Sequence, residues 1–230
     1  MTKNIEMKNV SVNLLVVIFL LVCSVLTGQS FEGKITYKLE MQNPYPDNVT
    51  AEQWADQLKA VFGEKGYMTS NYYYKEANYV SEIEAGKELG FQLYNPKDGL
   101  IYSWQKGTLT AVTLDSKKNM DGFVEFVDSE ETETVMDIPC QVIIIKSKLG
   151  EMKIWYNSDH FKVDPSLFTG HVYGHYEKML EKTGSLPIKT EVKGLAGHII
   201  MTMIDFKKET VDDSKFVLPE FTEVTANPMN

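Results

Sequence analysis

The segment Glu133–Asn157 constrains this chain more than any other. Within it, Cys140–Ile145 is a short run of mostly β-branched apolar residues, bounded by Pro139 and Lys146. It is too short for a buried helix and reads as a strand apolar on both faces, hence central in a sheet. Gly150 follows in Lys148-Leu149-Gly150-Glu151, where a tight turn asks for positive φ. Met152, Ile154 and Tyr156 then alternate with Lys153 and Trp155, so a second strand returns antiparallel to the first.

The rest of the chain repeats this grammar. Phe31–Glu40 alternates through Phe31, Ile35, Tyr37 and Leu39 until the prolines of Asn43–Asp47 end the ladder. Tyr67–Lys75, Ala77–Glu84, Leu89–Tyr94, Gly99–Trp104 and Thr108–Leu114 are short strands separated by turn residues, which makes hairpin after hairpin and an antiparallel sheet. Phe123–Val127 is a further strand, and the acidic run Asp128–Glu133 reads as solvated surface. Ile188–Lys193 and His198–Lys207 form a last hairpin. At 230 residues and 43% hydrophobic, one such β domain over 31–230 has a sizeable core available.

Two helices interrupt the strands. Thr50 with Gln53 forms a capping box, and Trp54, Leu58, Val61 and Phe62 share one stripe meant to lie on the sheet. Asp164-Pro165 opens the second helix, whose stripe is Phe168, Val172, Tyr176, Met179 and Leu180; Gly170 and Gly174 weaken its first half.

Residues 1–30 carry an address. Lys3 and Lys8 precede the apolar run Val10–Leu26, which ends at Thr27-Gly28-Gln29-Ser30, the layout of a secretory signal peptide cut between Gly28 and Phe31. A membrane anchor is the competing reading, at the short limit for a span. Lipidation at Cys23 is a third, but Val22 stands where a lipobox has a small residue. After cleavage Cys140 alone remains, buried in its strand, and the chain is not an integral membrane protein.

Charge and motifs narrow the function classes. The formal charge of −9 excludes the basic stripe that a nucleic-acid groove requires. No GxSxG elbow, HExxH pattern or glycine-rich phosphate loop occurs, so no enzyme, metal or cofactor is implied. His171 and His175 are spaced as a metal-gripping pair on a helix, against which stands one core and one surface histidine. An aromatic belt including Tyr72, Tyr74, Phe91 and Trp104 faces, across the sheet, the helix residues Phe168, Val172, Tyr176 and Met179. These eight are the candidate ligand-binding residues.

Phe31-Glu-Gly-Lys-Ile-Thr-Tyr37, Ile154-Trp155-Tyr156, Leu186-Pro187-Ile188 and Asp213–Pro219 occur in one order. In this the chain resembles exported bacterial proteins of the DUF4412 and GLPGLI type, similar in outline to the LolA-like lipoprotein carriers. It lacks the GLPGL signature itself; Val192–Gly197 stands near its place. The resemblance implies a mainly β (α+β) fold: a curved antiparallel half-barrel with two helices against its concave face. It further implies a periplasmic or otherwise exported location in a Gram-negative-type envelope. Two functions then stand side by side: a binding protein for a lipid or lipidated protein, and an interaction module with a filled core. Neither the partner nor the oligomeric state is written in the sequence.

Overall fold

The computed structural model describes residues 30–194 and 197–228. The expected signal peptide and Cys23 lie outside the described residues. Twelve strands form one curved, unclosed sheet: β1 (Gly33–Met41), β2 (Met68–Lys75), β3 (Asn78–Ala85), β4 (Glu88–Asn95), β5 (Leu100–Gln105), β6 (Thr110–Asp115), β7 (Phe123–Val135), β8 (Ile138–Ser147), β9 (Gly150–Tyr156), β10 (Pro187–Gly194), β11 (Gly197–Lys208) and β12 (Glu223–Ala226). Their order across the sheet is β12-β6-β5-β4-β3-β2-β1-β11-β10-β9-β8-β7. Neighbours are antiparallel except β12, which runs parallel to β6. The fold is mainly β, as the alternation predicts.

The expected place of the 140–156 hairpin needs correction. Strands β8 and β9 pair as foreseen, Ile143 opposite Ile154, yet β8 is next to the edge strand β7. Strand β1 sits near the middle instead, between β2 and β11. Both faces of β8 are nevertheless buried at Val142 and Ile143. On Val142's face the cover is local: Trp155, directly opposite it, carries the ammonium groups of Lys153 and Lys189 over its ring at 4.9 and 4.3 Å. Glu131 and Glu133 hold those lysines. The acidic run is thus exposed, as expected, but it belongs to the long strand β7 and shifts register between Asp128 and Thr132.

Gly150 also differs from expectation. Its φ is not positive; a Cβ there would strike the Lys193 carbonyl oxygen, so close backbone approach to β10 selects glycine.

The two predicted helices fare differently. Helix α1 (Ala51–Phe62) has its capping box, Gln53 N–H to Thr50 Oγ1 at 3.2 Å and Thr50 N–H to Gln53 Oε1 at 2.9 Å. It contributes no buried residue, Val61 is 67% exposed, and Trp54 reaches the sheet through Nε1–H to the Met41 carbonyl at 3.0 Å. The second helix is shorter than the stripe suggests. Residues Pro165–Phe168 and Tyr173–His175 are single 3₁₀ turns, and only α2 (Tyr176–Thr183) is α-helical. The backbone turns left-handed at Gly170, Gly174 and His175, which ends helical continuation.

The inner face of the sheet is the one covered by residues 161–183. Phe161, Phe168, Met179 and Leu180 pack there against Ile35, Tyr37, Tyr74 and Ile154 in one core. The outer face is covered between β3 and β5 by the C-terminal tail, where Val80, Leu93 and Val211 are buried. Among the described residues no helix is long and apolar enough to cross a membrane.

Candidate functional site

Strand pairing places the aromatic belt on two faces. Tyr74 lies opposite Tyr79, and Tyr79 opposite Tyr94, so three tyrosines line up across β2, β3 and β4 on the inner face, with Tyr72 one pleat along. Their rings pack as one group: Tyr72 stacks on Tyr74 at 5.7 Å and Tyr79 on Tyr94 at 5.4 Å. Phe168 and Tyr176 close on Tyr79 from above, at 6.4 and 5.9 Å between centroids. Met179 is buried in the same core, and Val172 is half-buried on the connecting turn.

Phe91 and Trp104 belong elsewhere. They stack on each other at 5.2 Å, and Phe221 meets Trp104 edge-on at 5.6 Å. By alternation their side chains share the outer face with Tyr73, Val80 and Tyr102. The eight candidates therefore do not form one site. Six gather on or above the inner face and two lie on the outer.

The helical spacing proposed for His171 and His175 does not survive the left-handed turn between them. The two rings meet different partners. His171 is 2% exposed, inserted 4.5 Å from the Tyr94 ring and 4.8 Å from Tyr176, with Nε2 2.9 Å from the Tyr79 hydroxyl. Burial lowers its pKa to about 4, so it is neutral. His175 faces the loop 119–121: Nε2 is 3.4 Å from Asp121 Oδ2, and Nδ1 is 3.3 Å from Asn119 Nδ2. At Asp121 burial opposes ionisation, but Ser147, the Leu149 amide and His175 together hold its pKa below the usual value.

Polar atoms on the inner face are left without partners. Tyr37 donates to the Pro187 carbonyl at 2.7 Å, but the Tyr176 hydroxyl, His171 Nδ1, and the Oγ atoms of Ser70 and Ser81 find no hydrogen bond in the protein. Ser70 and Ser81 flank the Tyr72 phenol without bonding geometry. Burial raises the pKa of Tyr72, Tyr74, Tyr79 and Tyr176.

Beside this aromatic region opens an apolar groove of about 570 Å³, in the range of small-molecule sites. Ile145, Met152 and Val192 form its floor from β8, β9 and β10; Met120, Tyr173 and His175 form part of its walls. These residues escaped the sequence reading because they meet only through the pairing of β8 with β9 and of β9 with β10. The period-two signal put Met152 on one face with Ile154 and Tyr156, yet nothing local said that the space above it would stay open.

No family model matches the sequence, and no curated protein matches it. Among solved structures, PNGF-II in its P21 form aligns with a TM-score of 0.46 at 11% identity, over 87% of this chain and 32% of that one. Its C2 form gives 0.44 at 14% identity, over 86% and 31%. An uncharacterised conserved protein from Thermus thermophilus gives 0.48 at 8% identity, over 86% and 91%. This chain thus spans about a third of the PNGF-II chain. Fold and site together define a mainly β protein with an open sheet and an apolar inner groove.

Proposed function

We propose that this chain is an exported envelope protein, of the DUF4412 and LolA-like kind it resembles, that binds a lipophilic ligand along its inner face without catalysing a reaction. The observation carrying this reading is the groove floored by Ile145, Met152 and Val192, an apolar space that the core does not fill. Met152 suits such a role, because methionine adapts its shape to an apolar chain. The direct experiment is titration of purified protein with the uncharged fluorophore N-phenyl-1-naphthylamine, together with native mass spectrometry for co-purified lipid. Saturable fluorescence enhancement that a bulky Val192→Trp change abolishes supports the reading. Absence of saturable binding by the wild-type protein removes it.

A second reading rests on the outer face. Phe91, Trp104 and Phe221 form a half-buried aromatic patch suited to a protein partner. Under it, Trp104→Ala weakens capture of an envelope partner and leaves fluorophore binding unchanged.

A further inference from the structure

Four unpartnered polar atoms on one apolar face call for an explanation, since each costs about 1–3 kcal/mol when left without a hydrogen bond. Ser70 and Ser81 are 2% and 0% exposed, and His171 is equally enclosed. Tyr72 and Tyr176, by contrast, keep some accessible surface although they lie deep in the fold. The Tyr176 hydroxyl itself is enclosed with the serine and imidazole atoms, so what accessible surface the cluster has lies on the two half-buried tyrosines. Half-buried apolar side chains lead toward it from the groove: Met152 stands opposite Val192, Val192 opposite Ile199, and Met201, next inward on that strand, opposite Leu39. Leu39 adjoins Tyr37, which lies opposite Ser70.

The chemistry of the cluster is uncharged throughout. It offers phenol and serine hydroxyls, which donate and accept, and an imidazole nitrogen. Among the described residues no lysine, aspartate or glutamate is buried, so nothing within the cluster could neutralise an ionic group; the one lysine lining the groove, Lys193, is already engaged by Glu191 at 3.0 Å. Placing a bare charge on this surface would be heavily penalised, whereas an uncharged hydroxylated group would satisfy atoms now left over.

We propose that Ser70, Ser81, Tyr72, Tyr176 and His171 receive the uncharged, hydroxylated head of a single-chain amphiphile, of the monoacylglycerol class, whose chain lies in the groove. This rests on the lipophile reading and adds what the ligand's polar end must be. An ionised fatty acid and a phospholipid are the ligands it excludes.

The test is displacement of N-phenyl-1-naphthylamine at pH 8 by 1-monolauroylglycerol and by laurate, each below its micelle concentration. The monoacylglycerol is expected to displace the probe at about one-tenth the concentration of laurate or less. In the Tyr176→Phe/Ser81→Ala variant this ratio is expected to fall to about threefold while the probe still binds. Ser81→Ala alone, which removes a single oxygen, serves if the double variant does not fold. Laurate displacing as well as the monoacylglycerol, or a ratio unchanged in the folded variant, overturns the head assignment and leaves the lipophile reading standing. A protein that does not bind the probe at all overturns both.

Discussion

The Tyr79 hydroxyl and His171 Nε2 lie 2.9 Å apart, joining strand β3 to the turn that enters α2 across 92 residues of sequence. Both groups are buried, and the other imidazole nitrogen has no partner. This bond is therefore the one protein hydrogen bond on the imidazole ring. Tyr79→Phe strands it completely and should cost about 1–3 kcal/mol. Denaturant unfolding measures the loss; a change below a few tenths of a kcal/mol would show that the imidazole finds another partner.

His171 also gives the fold a pH dependence of known sign. Its folded pKa, about 4, lies below the ordinary value of 6.5, so the folded state prefers the neutral ring. The associated stability is complete above pH 6.5, declines as pH falls toward 4, and changes no further below that. A shift of this size corresponds to roughly 3 kcal/mol. Unfolding free energies measured from pH 7 to 4 for wild type and His171→Phe should converge as pH falls, because the variant lacks this titration. Parallel curves would mean that His171 charges freely in the native protein.

Much of the fold was legible because each hairpin is a local matter. The meander from Met68 to Asp115 was readable from alternation and turn residues, with boundaries off by a residue or two. The order of strands was not, since β1 pairs with β11 far along the chain. Burial of Val142 and Ile143 looked like central placement but comes from the Trp155 cover on one side and the core on the other. Phe168, Val172, Tyr176 and Met179 had helical spacing, yet left-handed glycines decide the local path. At the site, alternation along β2 puts Tyr72 and Tyr74 together on the inner face and Tyr73 on the outer. Phe91 and Trp104 fell on the wrong side because their face depends on register rather than composition.

Those glycines make an opposing prediction to the one a continuous helix would give. In a helix interior, replacing Gly170 and Gly174 by alanine would stabilise the protein. Here their φ values are +84° and +61°, and an added Cβ meets nothing within 4 Å at either. The cost is backbone strain alone, about 1–2 kcal/mol for each substitution. Thermal unfolding of Gly170→Ala and Gly174→Ala should show lowered midpoints. A raised midpoint would restore the single helix.

Cys140 lies 2% exposed beneath the β7–β8 register shift, its Sγ directed at the Ile138 carbonyl at 3.3 Å. Burial raises its thiol pKa, with the charge of Glu133 adding to the effect. A thiol reagent should label it slowly in the native protein and rapidly in denaturant. Fast native labelling would show that β7 lifts away from β8.

Phe31 anchors the start of the described chain. Its ring lies 5.3 Å from Phe161 and 6.3 Å from Tyr74, and its amide donates to the Lys162 carbonyl at 2.7 Å. Phe31→Ala should cost about 3–5 kcal/mol. Signal cleavage between Gly28 and Phe31, as we propose, would retain this residue; N-terminal sequencing of exported protein checks it, and a first residue beyond Phe31 would refute it.

The position of β1 sets the order in which the molecule can be completed. Strands β2 to β6 form by neighbouring hairpins, as do β7 to β9 and the β10–β11 pair, each closing short loops at small entropic cost. The two halves of the sheet are joined through β1, whose pairing with β11, from Met41 opposite Ile199 to Gly33 opposite Lys208, closes by far the longer part of the chain. A chain emerging from its N-terminus would therefore hold the strand at the middle of its sheet from the outset, half-paired. Its free edge would await the penultimate strand, and that long closure sets the pace of folding.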